Sequence, residues 1–155
     1  MTAAFIRGKR RRAAAAVGAV TFGLVALSAC DKPTPLATVT VGTNTVTTEA
    51  VCLDEGTKLD EAALTKCLAS KAPKTIKVKP GDKVRIGVEP KIADEGWIVA
   101  TGGQQKTAQT KQTYTSLDGQ SLFVNRQAQR MEESTVLSVV TSDGVWNVKL
   151  ELDSD

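Results

Sequence analysis

Thr135-Val-Leu-Ser-Val-Val-Thr-Ser142 and Val145-Trp-Asn-Val-Lys-Leu-Glu-Leu152, joined by Asp143-Gly144, decide the fold. Both runs alternate along their length, and Asp-Gly between them is the composition of a type I′ hairpin turn, whose two central residues take positive φ. Such a two-residue loop sets Thr141 opposite Trp146, Val139 opposite Val148 and Leu137 opposite Leu150. Trp146, Val148, Leu150 and Leu152 then share one face, with Val136 and Val140 on the other. A one-residue slip would turn the apolar set to solvent, so pattern and register specify the same pairing.

Upstream, the same period-2 signal recurs between turn residues. Ala37-Thr-Val-Thr-Val41 and Thr45-Val-Thr-Thr-Glu-Ala-Val51 flank Gly42-Thr43-Asn44 as a first hairpin. Thr75-Ile-Lys-Val-Lys79 and Lys83-Val-Arg-Ile-Gly-Val88 flank Pro80-Gly81-Asp82. Trp97-Ile-Val-Ala-Thr101 precedes the turn Gly102-Gly103, and a weaker extended stretch covers Lys111 to Thr115. Residues 125–133 are polar and read as a short surface helix, while 120–124 fit neither pattern. About seven short strands at this spacing predict an all-β fold: an antiparallel immunoglobulin-like β-sandwich over residues 36–155, with one short disulfide-linked helix. Trp97 and Trp146 lie among aliphatics and read as core.

The three cysteines are Cys30, Cys52 and Cys67. In an exported chain an odd count leaves one thiol to be explained, and modification of Cys30 would leave Cys52 and Cys67 as a pair. Reactive pairs are usually Cys-x-x-Cys at a helix start, so a structural bridge is expected here. Thr57-Lys-Leu-Asp-Glu-Ala-Ala-Leu-Thr-Lys-Cys-Leu68 carries Leu59, Ala63, Leu64, Cys67 and Leu68 at helical spacing, with Thr57 as the expected N-cap and Asp60 and Glu61 at the positive end of the dipole.

The formal charge of +3 comes from 20 cations and 17 anions. Arg7, Lys9, Arg10, Arg11 and Arg12 supply five of those cations, and residues 1–29 hold no acid. The remainder carries 15 cations against 17 anions, which argues against a nucleic-acid partner. After Arg12 comes an uncharged stretch from Ala13 to Ala26, the layout of a secretory signal peptide and short of the about 20 apolar residues that a spanning helix needs.

That leader ends in Leu27-Ser28-Ala29-Cys30, which resembles the lipobox of bacterial lipoproteins. The resemblance implies a signal peptide at residues 1–29, a diacylglyceryl group on the Cys30 sulfur, cleavage before Cys30, and a lipidated Cys plus tether at residues 30–35. The tether is Asp31-Lys-Pro-Thr-Pro35. Together with the Thr/Val-rich first strand, these features look like the small exported lipoproteins of high-GC Gram-positive, actinobacterial type that form a family of undefined molecular function. The likeness implies an extracytoplasmic, membrane-anchored address and supplies no activity.

The chain has no histidine, which closes most zinc, copper and haem sites and every Ser-His or Cys-His pair. The run Ile76-Lys-Val-Lys-Pro-Gly-Asp-Lys-Val-Arg-Ile86 resembles early strands of immunoglobulin-like and cupredoxin-like domains, but a blue-copper site is ruled out without His; no cofactor is expected. The acid pairs Asp54/Glu55, Asp60/Glu61, Asp94/Glu95 and Glu132/Glu133 are each adjacent in sequence, whereas a hydrolase sets two carboxyls across a substrate.

The surface feature with most chemical content is cationic. If residues 75–88 form a hairpin, Lys79 pairs with Lys83 and Lys77 with Arg85, giving one face of four cations for an anionic envelope polymer. Like charges directly opposite are destabilising, so the alternative is an arch that sends the two strands to different sheets. The functional expectation is a non-enzymatic binding or scaffolding module of the cell envelope, held by membrane lipid through acylated Cys30 and meeting an anionic polymer or another envelope protein. The alternative is an envelope hydrolase using carboxylates or Ser/Thr.

Overall fold

The computed structural model describes residues 34–153. The expected leader, Cys30 and the tether as far as Pro33 lie outside the described residues. The chain begins with β1 (Ala37–Val41), β2 (Asn44–Thr48), β3 (Cys52–Leu53), α1 (Glu61–Leu68), β4 (Lys74–Val78) and β5 (Lys83–Val88). It continues through α2 (Pro90–Glu95), β6 (Ile98–Thr101), β7 (Gln104–Gln105), β8 (Tyr114–Asp118) and α3 (Gly119–Leu122). It ends with β9 (Val124–Asn125), β10 (Arg130–Met131), β11 (Ser134–Val140) and β12 (Gly144–Leu152). The molecule is mostly β, as the alternation predicts.

One sheet has the order β2-β1-β5-β8, and a second runs β3-β12-β11-β6-β7 with β4 also paired to β12. All pairings are antiparallel except β4 with β12, which is parallel and departs from the all-antiparallel expectation. The two sheets enclose one core. Val39 of β1 and Val84 and Ile86 of β5 meet Leu137, Val139, Trp146, Val148 and Leu150 of the other sheet in a single buried cluster. Trp97 and Trp146 are both buried in it, and each indole N–H is satisfied: Trp97 Nε1 donates to the Gln112 carbonyl at 2.8 Å and Trp146 Nε1 to the Pro35 carbonyl at 2.7 Å. The last residue of the expected tether is thereby fixed to the core.

The β11–β12 hairpin forms, with a register two residues from the expected one. Val140 pairs with Val145, Val139 with Trp146 and Leu137 with Val148, leaving Thr141 to Gly144 as the connection. A slip of two preserves the faces, so the core residues are those the alternation names. Gly144 is not among the glycines with positive φ, so the turn is not type I′. Asp143 is buried and tied inward, accepting from Thr141 Oγ1 at 2.7 Å and from the Gly56 amide, while its carbonyl takes the Asp54 amide. Gly144 is required by space: a Cβ there would lie 2.6 Å from the Trp146 ring and 3.0 Å from Leu53. The positive φ pair expected at Asp143-Gly144 occurs instead at Gly102 and Gly103, between β6 and β7.

On the outer face of the larger sheet, Val140, Val145 and Ile98 are covered by α1 through Leu64, Cys67 and Leu68. The helix starts later than expected. Asp60, not Thr57, is the N-cap, its carboxylate accepting from the Ala63 amide at 2.7 Å, because Leu59 N–H is already held by the Ser142 carbonyl. Cys52 on β3 sits beside Val145 and is disulfide-bonded to Cys67 of α1, so the bridge clamps the helix onto the sheet. Asn147 reinforces the clamp, donating to the Cys67 and Ser70 carbonyls at 3.0 Å each. Removing both cysteines as alanines should cost about 3 kcal/mol in the chain-entropy account of a 15-residue separation. Urea midpoints with and without reductant measure this; equal midpoints would refute it.

Two short helices and a hairpin complete the chain. Of residues 120–124, the first three lie in α3, which Asp118 caps, Phe123 is its C-cap and Val124 opens β9. Residues 125–133 do not form the expected helix. They make the β9–β10 hairpin, because Asn125 Oδ1 accepts from the Gln127 and Ala128 amides and turns the chain at once. Among the described residues no helix is long and apolar enough to cross a membrane.

Candidate ligand groove

The arch, not the hairpin, links β4 to β5. Pro80-Gly81 forms a tight turn with Gly81 at φ 88° and the Asp82 amide bonded to the Lys79 carbonyl, the pattern of a type II turn. β4 then pairs with β12, which sets Ile76 beside Leu150 and Val78 beside Leu152 over the core. β5 enters the other sheet between β1 and β8. The four cations therefore do not form one face. Lys77 lies across from Glu151 with its Nζ 3.9 Å from Asp153, while Lys83 on the opposite layer lies 3.8 Å from Asp118. Arg85 stands between Thr40 and Ser116, and Lys79 belongs to the turn, where its amide donates to Asp82. The arch exchanges two like-charge cross-strand pairs for pairs with acids.

A concavity that could take a ligand lies elsewhere, on the part of the outer face that α1 leaves open. It is a groove of about 990 Å³. One wall is the end of α1 and the segment after it, Leu68 to Ala72. The floor is the outward row Thr75, Lys149 and Val136, which the pairing of β4, β12 and β11 sets side by side. The far wall is the Gly102-Gly103 turn with Gln104, Val124, Asn125 and Glu132 of the β9–β10 region, and Leu122 and Phe123 close the floor beneath it. The groove exists because β6 ends at Thr101 while β11 continues to Ser134, so the sheet edge is stepped.

Its polar groups are partly committed. Ser138 Oγ donates to Asn147 Oδ1 at 2.8 Å, Ser70 Oγ to the Lys66 carbonyl, and Lys149 pairs with Glu151 at 2.7 Å. Lys106 reaches the Val124 carbonyl at 3.0 Å, and its pKa is lowered by loss of solvent and then by the charge of Arg126. Glu132 accepts from Arg130 at 3.0 Å and from Asn125 at 3.3 Å; the Arg130 hydrogen bond is the largest cause of its lowered pKa. A carboxylate with a depressed folded pKa stabilises at pH above the ordinary carboxylate value, and the contribution disappears as pH falls through the folded one. The β9–β10 hairpin is thus expected to loosen in acid, seen as a shift of Asn125 and Arg130 side-chain NMR signals. Glu132→Gln should remove that pH dependence, and an unchanged acid transition in this variant would contradict the assignment.

The acid pairs are dispersed: Asp54 and Glu55 in the loop before α1, Asp60 and Glu61 at its start, Asp94 and Glu95 in α2, and Glu132 alone of the last pair at the groove. Glu55 is paired with Lys91. Among the described residues no three His, Cys, Asp or Glu side chains cluster as a metal site. Sequence reading did not single out Lys149, Val124 or Val136 as groove residues. The available signal was the outward phase of 136 and 149 in the alternation that placed their neighbours in the core.

A model of a family described as a protein of unknown function (DUF2771) matches residues 30–149. The chain belongs to the DUF2771 family. No curated protein and no solved structure matches it. In this DUF2771 protein the matched span takes in every lining residue of the groove and both cysteines of the bridge.

Proposed function

We propose that the protein is a lipid-anchored extracytoplasmic lipoprotein that works as a non-enzymatic binding or scaffolding module of the cell envelope. The observation that carries the reading is where the family match starts. The family match opens at Cys30, the residue at which the lipobox-like Leu27-Ser28-Ala29-Cys30 would leave the mature chain. Pro35, only five residues on, is already fixed through Trp146. An acylated Cys30 would therefore hold this body close to a bilayer.

Three further features support the reading. The Cys52–Cys67 bridge suits an oxidising compartment. The dispersed acids and committed groove hydroxyls fit binding better than hydrolysis. The two sheets over one core also have the layering of an immunoglobulin-like sandwich, a scaffold used widely for recognition. Partners in this setting are membrane lipid through Cys30, and an anionic envelope polymer or another envelope protein. Labelling of intact cells with a membrane-impermeant amine reagent tests the address. The protein should be labelled and sediment with membranes, and a shielded or freely soluble protein would contradict the proposal.

A further inference from the structure

We infer that the stepped-edge groove binds a single anionic amphiphile, one acyl chain bearing a carboxylate or phosphate head. This deepens the binding-module reading and rests on it. The observation behind it is a change of chemistry along the groove. Crossing from β4 through β12 and β11 to the line of β6 covers about 14 Å, at about 4.8 Å per strand. At the β4 end stand Lys71, Lys149 and the Thr75 hydroxyl. At the other end are Val136 and Val124, above the core residues Leu122 and Phe123, which are themselves buried.

A volume of about 990 Å³ is at the top of the range for small-molecule sites, which bind by apolar contact with a few placed polar groups. The head belongs at the cationic end. Lys149 is already shared with Glu151, whereas Lys71 is exposed and carries the less committed charge. Beyond the apolar end, Val124 and Met131 form an exposed cross-strand pair, 38% and 44% accessible. At that end the one lining acid, Glu132, is already paired with Arg130, which leaves the uncompensated charge to the lysines at the other end. A sugar would need an aromatic platform; the one exposed aromatic among the described large hydrophobics, Tyr114, is on the other sheet.

The test uses the full-length protein in zwitterionic vesicles with a long-chain fatty acid carrying a photoactivatable diazirine near its tail, and with the methyl ester of the same probe. Peptide mass spectrometry should place the carboxylate probe's adducts in residues 122–136, with competition by unlabelled fatty acid. Charge reversal in the double variant Lys71→Glu, Lys149→Glu should lower that labelling about tenfold or more while leaving the ester within about twofold. The same variant should still unfold cooperatively in urea, at a midpoint lowered by the loss of the Lys149–Glu151 pair, so a loss of labelling is not a loss of fold. Adducts spread over the whole domain, equal labelling by acid and ester, or insensitivity to charge reversal would each overturn the inference, the first being the mark of mere bilayer contact. An unmodified Cys30 with groove labelling intact would defeat the anchor and leave the groove standing.

Discussion

Replacing Trp146 by alanine is expected to lower the unfolding free energy by about 3–5 kcal/mol. The indole is 1% exposed and lies at the junction of three parts of the fold. Its ring packs over Gly144 so closely that no Cβ fits there, it belongs to the core shared by both sheets, and its N–H holds the Pro35 carbonyl. Truncation removes contact area, leaves a cavity and strands a buried acceptor, so the losses fall on the same site. Trp146→Phe separates the parts. It keeps most of the apolar area and loses the hydrogen bond, and should cost about 1–3 kcal/mol. Domains of this size have about 5–15 kcal/mol in total, so the alanine variant would stand near the edge of folding at 37 °C. Urea unfolding followed by Trp97 fluorescence reads both. A loss under about 1 kcal/mol for the alanine variant would contradict the packing described here.

The second large effect concerns location. Cys30→Ser should abolish detergent-phase partitioning of the protein and leave an unprocessed precursor or a released domain. Two acyl chains at about 0.8 kcal/mol per buried methylene contribute on the order of 10 kcal/mol or more of membrane affinity, and a serine offers no sulfur to carry them. Because Cys52 and Cys67 are paired with each other, the substitution leaves the folded body intact. The variant should therefore unfold at the wild-type urea concentration while losing its membrane fraction. Unchanged partitioning would defeat the anchor.

Much of the fold was legible because strand alternation has a period of two and burial in a two-layer fold follows it. β1, β5 and β12 fall within a residue of where the pattern puts them and β11 within two, and Val39, Ile86, Leu137 and Leu150 are buried as it requires. Register was less legible. Asp143-Gly144 has the composition of a type I′ turn, but side-chain bonds from Asp143 and the bulk of Trp146 decide its geometry, and neither is visible in a dipeptide. α2 was missed although its signals were present: Pro90 stands at the first helical position and Gly96 follows the last turn with φ 80°. The hairpin at residues 124–131 escaped because its strands are only two residues long and exposed, giving no alternation to read.

The groove was less legible still. Its floor is made from residues 75, 136 and 149; the β11–β12 hairpin sets 136 beside 149, but only the parallel β4–β12 pair adds 75, and a parallel pairing leaves no local turn in the sequence. The cationic run from Lys71 to Lys91 was visible as composition. Its division between two layers depended on whether Pro80-Gly81 made a hairpin or an arch, and the turn residues suit both. Charge repulsion between Lys77 and Arg85 was the physical clue in favour of the arch.

Intact-mass and tandem mass spectrometry of the protein purified from membranes of the cells that make it tests the central claim most directly. The account predicts an amino terminus at Cys30 carrying a diacylglyceryl mass on sulfur. A terminus at Met1, or a Cys30 bearing an unmodified thiol, would contradict it.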